Sequence, residues 1–274
     1  MESITLGSLA VWNHSVPNPK ARVLIIHGLS EHSGRHLNTV RGLNESGIDV
    51  VRFDLRGSGK SGGKRQWIES FGDYVDDAVT VFNWIQRDLS ALPLFVYGHS
   101  LGGAIAINFA STYHSLFKGL ILSAPAYLVG AGISPLKITV GKMLVKIAPN
   151  IRLPKSTASE GVSRDKKVVE AYQKDPLCFH FNTLKQGDEI LKNLPLIPEL
   201  AHKITTPTLI AHGSADPIIR VEGSYEILKA LSSPSKELYI APGSFHELHN
   251  ELEEDRKTYF RHLDMWISNQ LKQK

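Results

Sequence analysis

Six short runs decide what this chain can fold into. Residues 22–27 (RVLIIH), 49–54 (DVVRFD), 94–97 (LFVY), 118–122 (KGLIL), 208–211 (TLIA) and 236–240 (KELYI) read as strands. Most are apolar at consecutive positions, as a strand must be when both of its faces are covered. Helical patterns at residues 71–87, 101–113, 221–231 and 251–270 supply the cover. Strands alternating with helices predict a mostly parallel α/β sheet flanked by helices. Residues 3–12 add an antiparallel edge hairpin. The 274 residues suffice for one large α/β domain or two small ones.

One interval breaks the rhythm. Residues 126–205 show no strong strand pattern, several helical patches, and glycine and proline punctuation at Gly130, Gly132, Pro135, Pro149 and Pro154. A long insertion between sheet strands is most economically a helical cap over one end of the sheet. The expected organisation is a core of residues 1–125 and 206–274 with a cap at 126–205.

The sharpest chemical signal is Gly98-His99-Ser100-Leu101-Gly102. It fits G-x-S-x-G, with the strand LFVY entering and the helical run LGGAIAINFASTY leaving. A tight strand-to-helix turn needs little bulk at the two glycines and lifts the serine hydroxyl above the sheet. Ser100 is the candidate nucleophile. A serine hydroxyl needs a base, because it is almost fully protonated near neutral pH. In hydrolase sheets built on this turn the partners follow in the order serine, acid, histidine. Strand 208–211 runs into His212-Gly213-Ser214-Ala215-Asp216-Pro217, and strand 236–240 into Ala241-Pro242-Gly243-Ser244-Phe245-His246. Asp216 would orient the imidazole of His246, and His246 would take the serine proton. Asp216 as a plain turn residue and His249 as the base are the alternatives; Asp188 follows no strand. The oxyanion donors would be the N–H of Leu101 and that of Leu29, which follows the His27-Gly28 pair at an early strand end. His27 is expected to brace that loop.

Several classes are excluded. Gly57-Ser58-Gly59-Lys60-Ser61 lacks the glycine that a phosphate loop needs at the position of Asp54, and His246-Glu247-Leu248-His249 is one residue short of the zinc motif H-E-x-x-H. No metal or cofactor is expected. The net charge of +4 comes from lysines and arginines spread along the chain, which argues against nucleic acid. The N-terminal residues lack a signal pattern, no stretch is apolar enough to span a membrane, and Cys178 is alone. A cytoplasmic protein, peripheral at a membrane when at work, is expected.

The chain resembles the monoacylglycerol lipase and lysophospholipase branch of the α/β-hydrolases. The matching stretches are 27–35 (HGLSEHSGR), 54–61 (DLRGSGKS), 98–103 (GHSLGG), 175–177 (DPL), 213–216 (GSAD) and 246–251 (HELHNE). The resemblance implies an α/β-hydrolase fold, the triad Ser100, Asp216 and His246, and oxyanion donors Leu29 and Leu101. The EHSGR stretch is the most discriminating, and its residues are expected to brace the oxyanion loop. The branch often carries methionine where this chain has Leu101; only the backbone acts there.

The resemblance implies a single-chain lipid ester as substrate, a monoacylglycerol first, with lysophospholipase, general carboxylesterase and acyltransferase activities as alternatives. Residues 126–148 are apolar with Lys137, Lys142 and Lys146 interspersed. Such a segment can rest on a membrane surface, line an acyl tunnel or simply pack on its own core. Ile138, Met143, Leu144 and Ile147 are its candidate substrate contacts. Residues 251–255 (ELEED) are expected to begin a solvated helix.

Overall fold

Successive residues of β3 (Ala21–Ile26) are buried on opposite sides of one sheet. Val23 and Ile25 pack with Val40 and Leu43 of α1 (Leu37–Glu45) and with Tyr259, Leu263 and Trp266 of α8 (Glu253–Lys272). Leu24 and Ile26 pack on the other side, with Val81 and Phe82 of α2 (Gly72–Asp88) and Ala104 and Ile105 of α3 (Leu101–Tyr113). The same division runs through β4 (Ile48–Phe53) and β5 (Leu94–His99), where Val50 and Phe95 face one side and Val51 and Val96 the other. With helices on both faces, neither set of side chains meets water, and the strands read as unbroken apolar runs. A computed structural model supplies this description for residues 2–89, 91–129, 141, 143–154 and 159–273.

The main sheet is completed by β1 (Glu2–Leu6), β2 (Leu9–His14), β6 (Gly119–Ser123), β9 (Thr208–Gly213) and β10 (Lys236–Ala241). Its eight strands lie in the order β1-β2-β4-β3-β5-β6-β9-β10. The hairpin β1–β2 is antiparallel and joins β4 antiparallel; every other pair is parallel. The carboxyl ends of the parallel strands therefore point the same way, which is where such sheets carry their sites. The six strands and four long helices expected from the sequence are present. Helix α1 was not anticipated: it is short and mostly polar, with Thr39, Val40 and Leu43 buried among its nine residues.

Between β6 and β9 the described residues hold α4 (Lys166–Lys174), α5 (Leu184–Asn193) and α6 (Ile197–His202). They also hold a two-stranded antiparallel ribbon of β7 (Arg152–Pro154) and β8 (Phe181–Thr183), where no strand was expected. The ribbon is three residues a side with β7 exposed, which leaves no apolar alternation to read. Helix α6 packs on α3 and α7 (Val221–Ala230), and Ile197 and Ala201 join the main core. Polar contacts tie the insertion down: Gln186 Nε2 donates to Tyr74 Oη at 2.7 Å, and Asn108 and Asn193 exchange side-chain hydrogen bonds at 3.0–3.1 Å.

Two glycines make the turn between β5 and α3 possible. A Cβ at Gly98 would be driven into the carbonyl of Gly102, and one at Gly102 into the carbonyls of Ile26 and His27. Backbone cannot swing aside as a side chain can. Gly102→Ala is expected to cost on the order of 3 kcal/mol, read as a fall in the urea midpoint. An unchanged midpoint would show that α3 and β3 are less closely packed than they stand here.

Candidate active site

Ser100 stands between β5 and α3 with φ 52° and ψ −118°. A non-glycine residue there is strained by about 1–3 kcal/mol and persists only when its surroundings hold it. Its N–H donates to Ser123 O at 2.9 Å, and its carbonyl accepts from Gly103 and Ala126 N–H, each at 2.9 Å. The strain points the side chain out of the sheet into a cavity and sets it at the positive end of α3.

Asp216 follows β9, and its side chain is fully buried. Its Oδ1 accepts from the N–H of Ile218 at 2.8 Å and Ile219 at 3.0 Å. Its Oδ2 accepts from His246 Nδ1 at 2.7 Å and His212 Nε2 at 3.0 Å. Burial pushes the Asp216 carboxyl up, but the His246 charge and the imidazole hydrogen bonds outweigh it and hold the carboxyl well below the ordinary range. Burial pulls His246 down, and Asp216 more than reverses this, so its pKa is raised. With Nδ1 committed to Asp216, His246 keeps Nε2 for the cavity it shares with Ser100. The arrangement can draw a proton from the serine and hold the resulting imidazolium.

Leu29 and Leu101 both border this cavity. Leu101 is in the first turn of α3, where a helix leaves N–H groups unused. The loop before Leu29 is braced from several sides. Glu31 Oε1 accepts from Gly28 N–H at 2.5 Å and from His36 Nε2 at 3.2 Å. Burial would raise the Glu31 carboxyl, but His36, His99 and His27 hold it well below its ordinary value. His27 Nε2 accepts from Leu55 N–H at 3.0 Å and its Nδ1 donates to Gly28 O at 2.8 Å. Arg35 Nη2 donates to Glu247 at 2.5 Å, and Asp54 accepts from Ser33 N–H at 2.8 Å and Lys60 N–H at 2.7 Å. The EHSGR stretch and the 54–61 loop thus form the frame of one turn.

Other sequence candidates lie elsewhere. His249 is buried, stacks on His36 with centroids 4.4 Å apart, and does not approach Asp216 by hydrogen bond. Burial, with His36 and His99 beside it, drives its pKa well down. Asp188 pairs with Lys192 at 2.6 Å on α5. Of the expected cap contacts, Met143 (60% exposed), Leu144 (41%) and Ile147 (83%) face outward, and none lines the cavity. Apolar content alone does not say which side of a segment meets substrate. Ile138, Lys137 and Lys142 lie outside the described residues. Instead Leu29, Ala126, Ile190, Leu194, Ile218 and Ile219 make the apolar wall. The 251–255 expectation is corrected too: α8 begins at Glu253, while Glu251 is fully buried, accepting from Phe245 N–H at 2.7 Å and Arg164 Nε at 3.1 Å. His32, Asp175 and Cys178 converge, but His32 Nδ1 accepts from Gly34 N–H, so Nε2 carries the proton and donates to Asp175 at 3.0 Å. That is a hydrogen-bonded brace with its lone pair already spent.

No part in the site was expected of His212, Glu247 or Glu251. For His212 a signal existed: β9 ends in His212-Gly213 as β3 runs into His27-Gly28, and both imidazoles hold the loop that follows.

The parallel sheet, the strained serine turn and the order of the residues gathered over it define an α/β-hydrolase of the nucleophilic-serine kind. Residues 17–253 match the family described as serine aminopeptidase, S33. A monoacylglycerol lipase of Mycolicibacterium smegmatis is 34% identical, covering 95% of this chain and 92% of its own. The human monoglyceride lipase is 34% identical over 91% of this chain and 83% of its own. The crystal structure of Paleococcus ferrophilus monoacylglycerol lipase superimposes with a TM-score of 0.86 at 27% identity, covering 98% of this chain and all of the other. The chain belongs to the serine aminopeptidase S33 family of α/β-hydrolases, and within it to the monoacylglycerol lipase branch.

Proposed function

We propose that the chain hydrolyses the ester bond of monoacylglycerols through an acyl-serine on Ser100. The observation that carries this is the His246–Asp216 hydrogen bond of 2.7 Å on the rim of the apolar cavity that holds Ser100. Ser100 Oγ attacks the ester carbonyl while His246 Nε2 takes its proton. The oxyanion is received by the N–H of Leu29 and Leu101. His246 then gives its proton to the departing glycerol oxygen. Water, deprotonated by the same nitrogen, attacks the acyl-serine and releases the fatty acid.

The described residues between β6 and β9 act as the cap, apart from α6, whose packing ties it to the core. The cavity of about 110 Å³ is smaller than the roughly 300 Å³ that drug-sized ligands fill. The outward Met143, Ile147, Ile151 and Leu153, with Lys146 and Arg152 among them, suit contact with an anionic bilayer in the cytoplasm. No helix among the described residues is long and apolar enough to cross a membrane.

The test is a hydrolysis panel of monoacylglycerols, lysophospholipids, triacylglycerols, short aryl esters and amino-acid anilides, in micelles and on anionic vesicles. Monoacylglycerols are expected to be turned over fastest and triacylglycerols at least about tenfold more slowly, because a cavity of this size leaves no room for three chains. Faster turnover of lysophospholipids would move the headgroup assignment. Faster turnover of anilides would replace an ester hydrolase with a peptidase.

A further inference from the structure

One further side chain hydrogen-bonds to Asp216 beside His246. His212 lies near the end of β9 and is fully buried. Its Nε2 stands 3.0 Å from Asp216 Oδ2 and 3.1 Å from Ile219 O. A carboxylate and a carbonyl only accept, so Nε2 carries a proton. The other nitrogen, Nδ1, stands 2.6 Å from Ser224 Oγ, a buried hydroxyl of α7. A neutral ring accepts the hydroxyl proton there. The imidazole is thus held from both ends.

A carboxylate offers about four lone-pair sites. At Asp216 they are filled by Ile218 and Ile219 N–H on Oδ1 and by His246 and His212 on Oδ2. His246 has only one of the four. Each further donor limits rotation of the carboxylate and shares its negative charge.

We propose that His212 is a positioning residue for the reaction: it pins Asp216 Oδ2 in line with His246 and tempers the pull of the carboxylate on the imidazolium. The proposal rests on the assignment of Asp216 and His246 to the hydrolytic machinery. His212 does not line the cavity over Ser100, so it acts through Asp216 and not on substrate. The other titratable groups facing His246 are His99 at the end of β5, Glu31 after β3, and Glu247 on its own loop. Those facing His212 are Asp216 and, on α7, Glu222. Replacing His212 leaves all of these in place.

His212→Leu removes the donor at similar bulk. Asp216 then attracts the imidazolium more strongly, and His246 loses its proton at higher pH. The acid limb of kcat/KM should rise by about half to one pH unit. The fall in kcat should be roughly tenfold, smaller than the 10²–10³ lost with a donor on the reacting atoms, and KM should hold. His212→Gln should return the limb to its wild-type position, since its amide can donate to Asp216 and accept from Ser224. Ser224→Ala, which frees Nδ1, should move the limb the same way by less. A folded His212→Leu whose acid limb coincides with wild type overturns the proposal, as does a folded His212→Gln whose limb stays displaced. If His212→Leu fails to fold, Ser224→Ala decides: an upward limb supports the proposal and an unmoved one overturns it. Asp216→Asn is run alongside. Activity in Asp216→Asn would sink the assignment of Asp216 itself, whereas an inactive Asp216→Asn with an unmoved His212→Leu limb sinks only the role of His212.

Discussion

Ser100→Ala abolishes ester hydrolysis and leaves the fold standing. The loss should be at least about 10³-fold, because the members of such a triad act as a unit and the remaining donors supply only a residue of the rate. The fold should survive because the strained backbone at Ser100 is held by its N–H and carbonyl, through Ser123, Gly103 and Ala126, and not by its hydroxyl. Alanine at φ 52° is no worse placed than serine. Circular dichroism and the urea midpoint should therefore match wild type within about 0.5 kcal/mol. A fluorophosphonate probe should label the wild-type protein at Ser100 alone. Turnover surviving in a clean Ser100→Ala preparation would require another nucleophile.

Asp216→Asn and His246→Ala lose comparable amounts, and His249→Ala does not. Asparagine keeps the size of Asp216 but presents an amide donor among four donors, so it cannot hold His246 in its productive tautomer or stabilise the imidazolium. A fall of about 10⁴-fold in kcat follows. His249 has no hydrogen bond to Asp216 and stacks on His36 behind the site. Its loss should be one of packing, about 1–3 kcal/mol of stability, with kcat held within roughly an order of magnitude. An inactive His249→Ala that folds normally would reassign the base. The pH profile gives an independent check. His246 must be neutral to accept a proton, so activity falls as pH drops through its pKa. That pKa is raised by Asp216, so the acid limb of kcat/KM should lie above the ordinary imidazole value of 6.5. A limb below it would mean that Asp216 does not govern the base.

The elements that could be read in advance are those whose signal is local. The runs 22–27 and 94–97 are apolar at consecutive positions because both sheet faces are covered, and that pattern is written in neighbouring residues. The turn at Ser100 is equally local, since Gly98 and Gly102 are required by carbonyls that close packing brings to them. Asp216 and His246 could be placed because each follows its own strand, and parallel strands end on one side of the sheet.

Contacts between distant segments could not be read in the same way. Arg35 and Glu247 are 212 residues apart, and both are polar residues with no periodicity to betray their burial. Glu251 reads as one acid in an acidic run, yet the docking of Arg164 and the turn at Phe245 bury it. Met143 and Ile147 read as lining for a substrate, yet both face outward, and Ile190 and Leu194 border the cavity instead. The sequence by itself determined the sheet, the serine turn and the strand ends that carry Asp216 and His246, because hydrophobic period and turn chemistry act over a few residues. Tertiary structure alone decided which polar groups satisfy one another, which apolar side chains between β6 and β9 meet the cavity, and that Asp216 answers to two histidines. Those outcomes depend on how packed elements dock, and burial makes each unpaired group costly enough to select its partner.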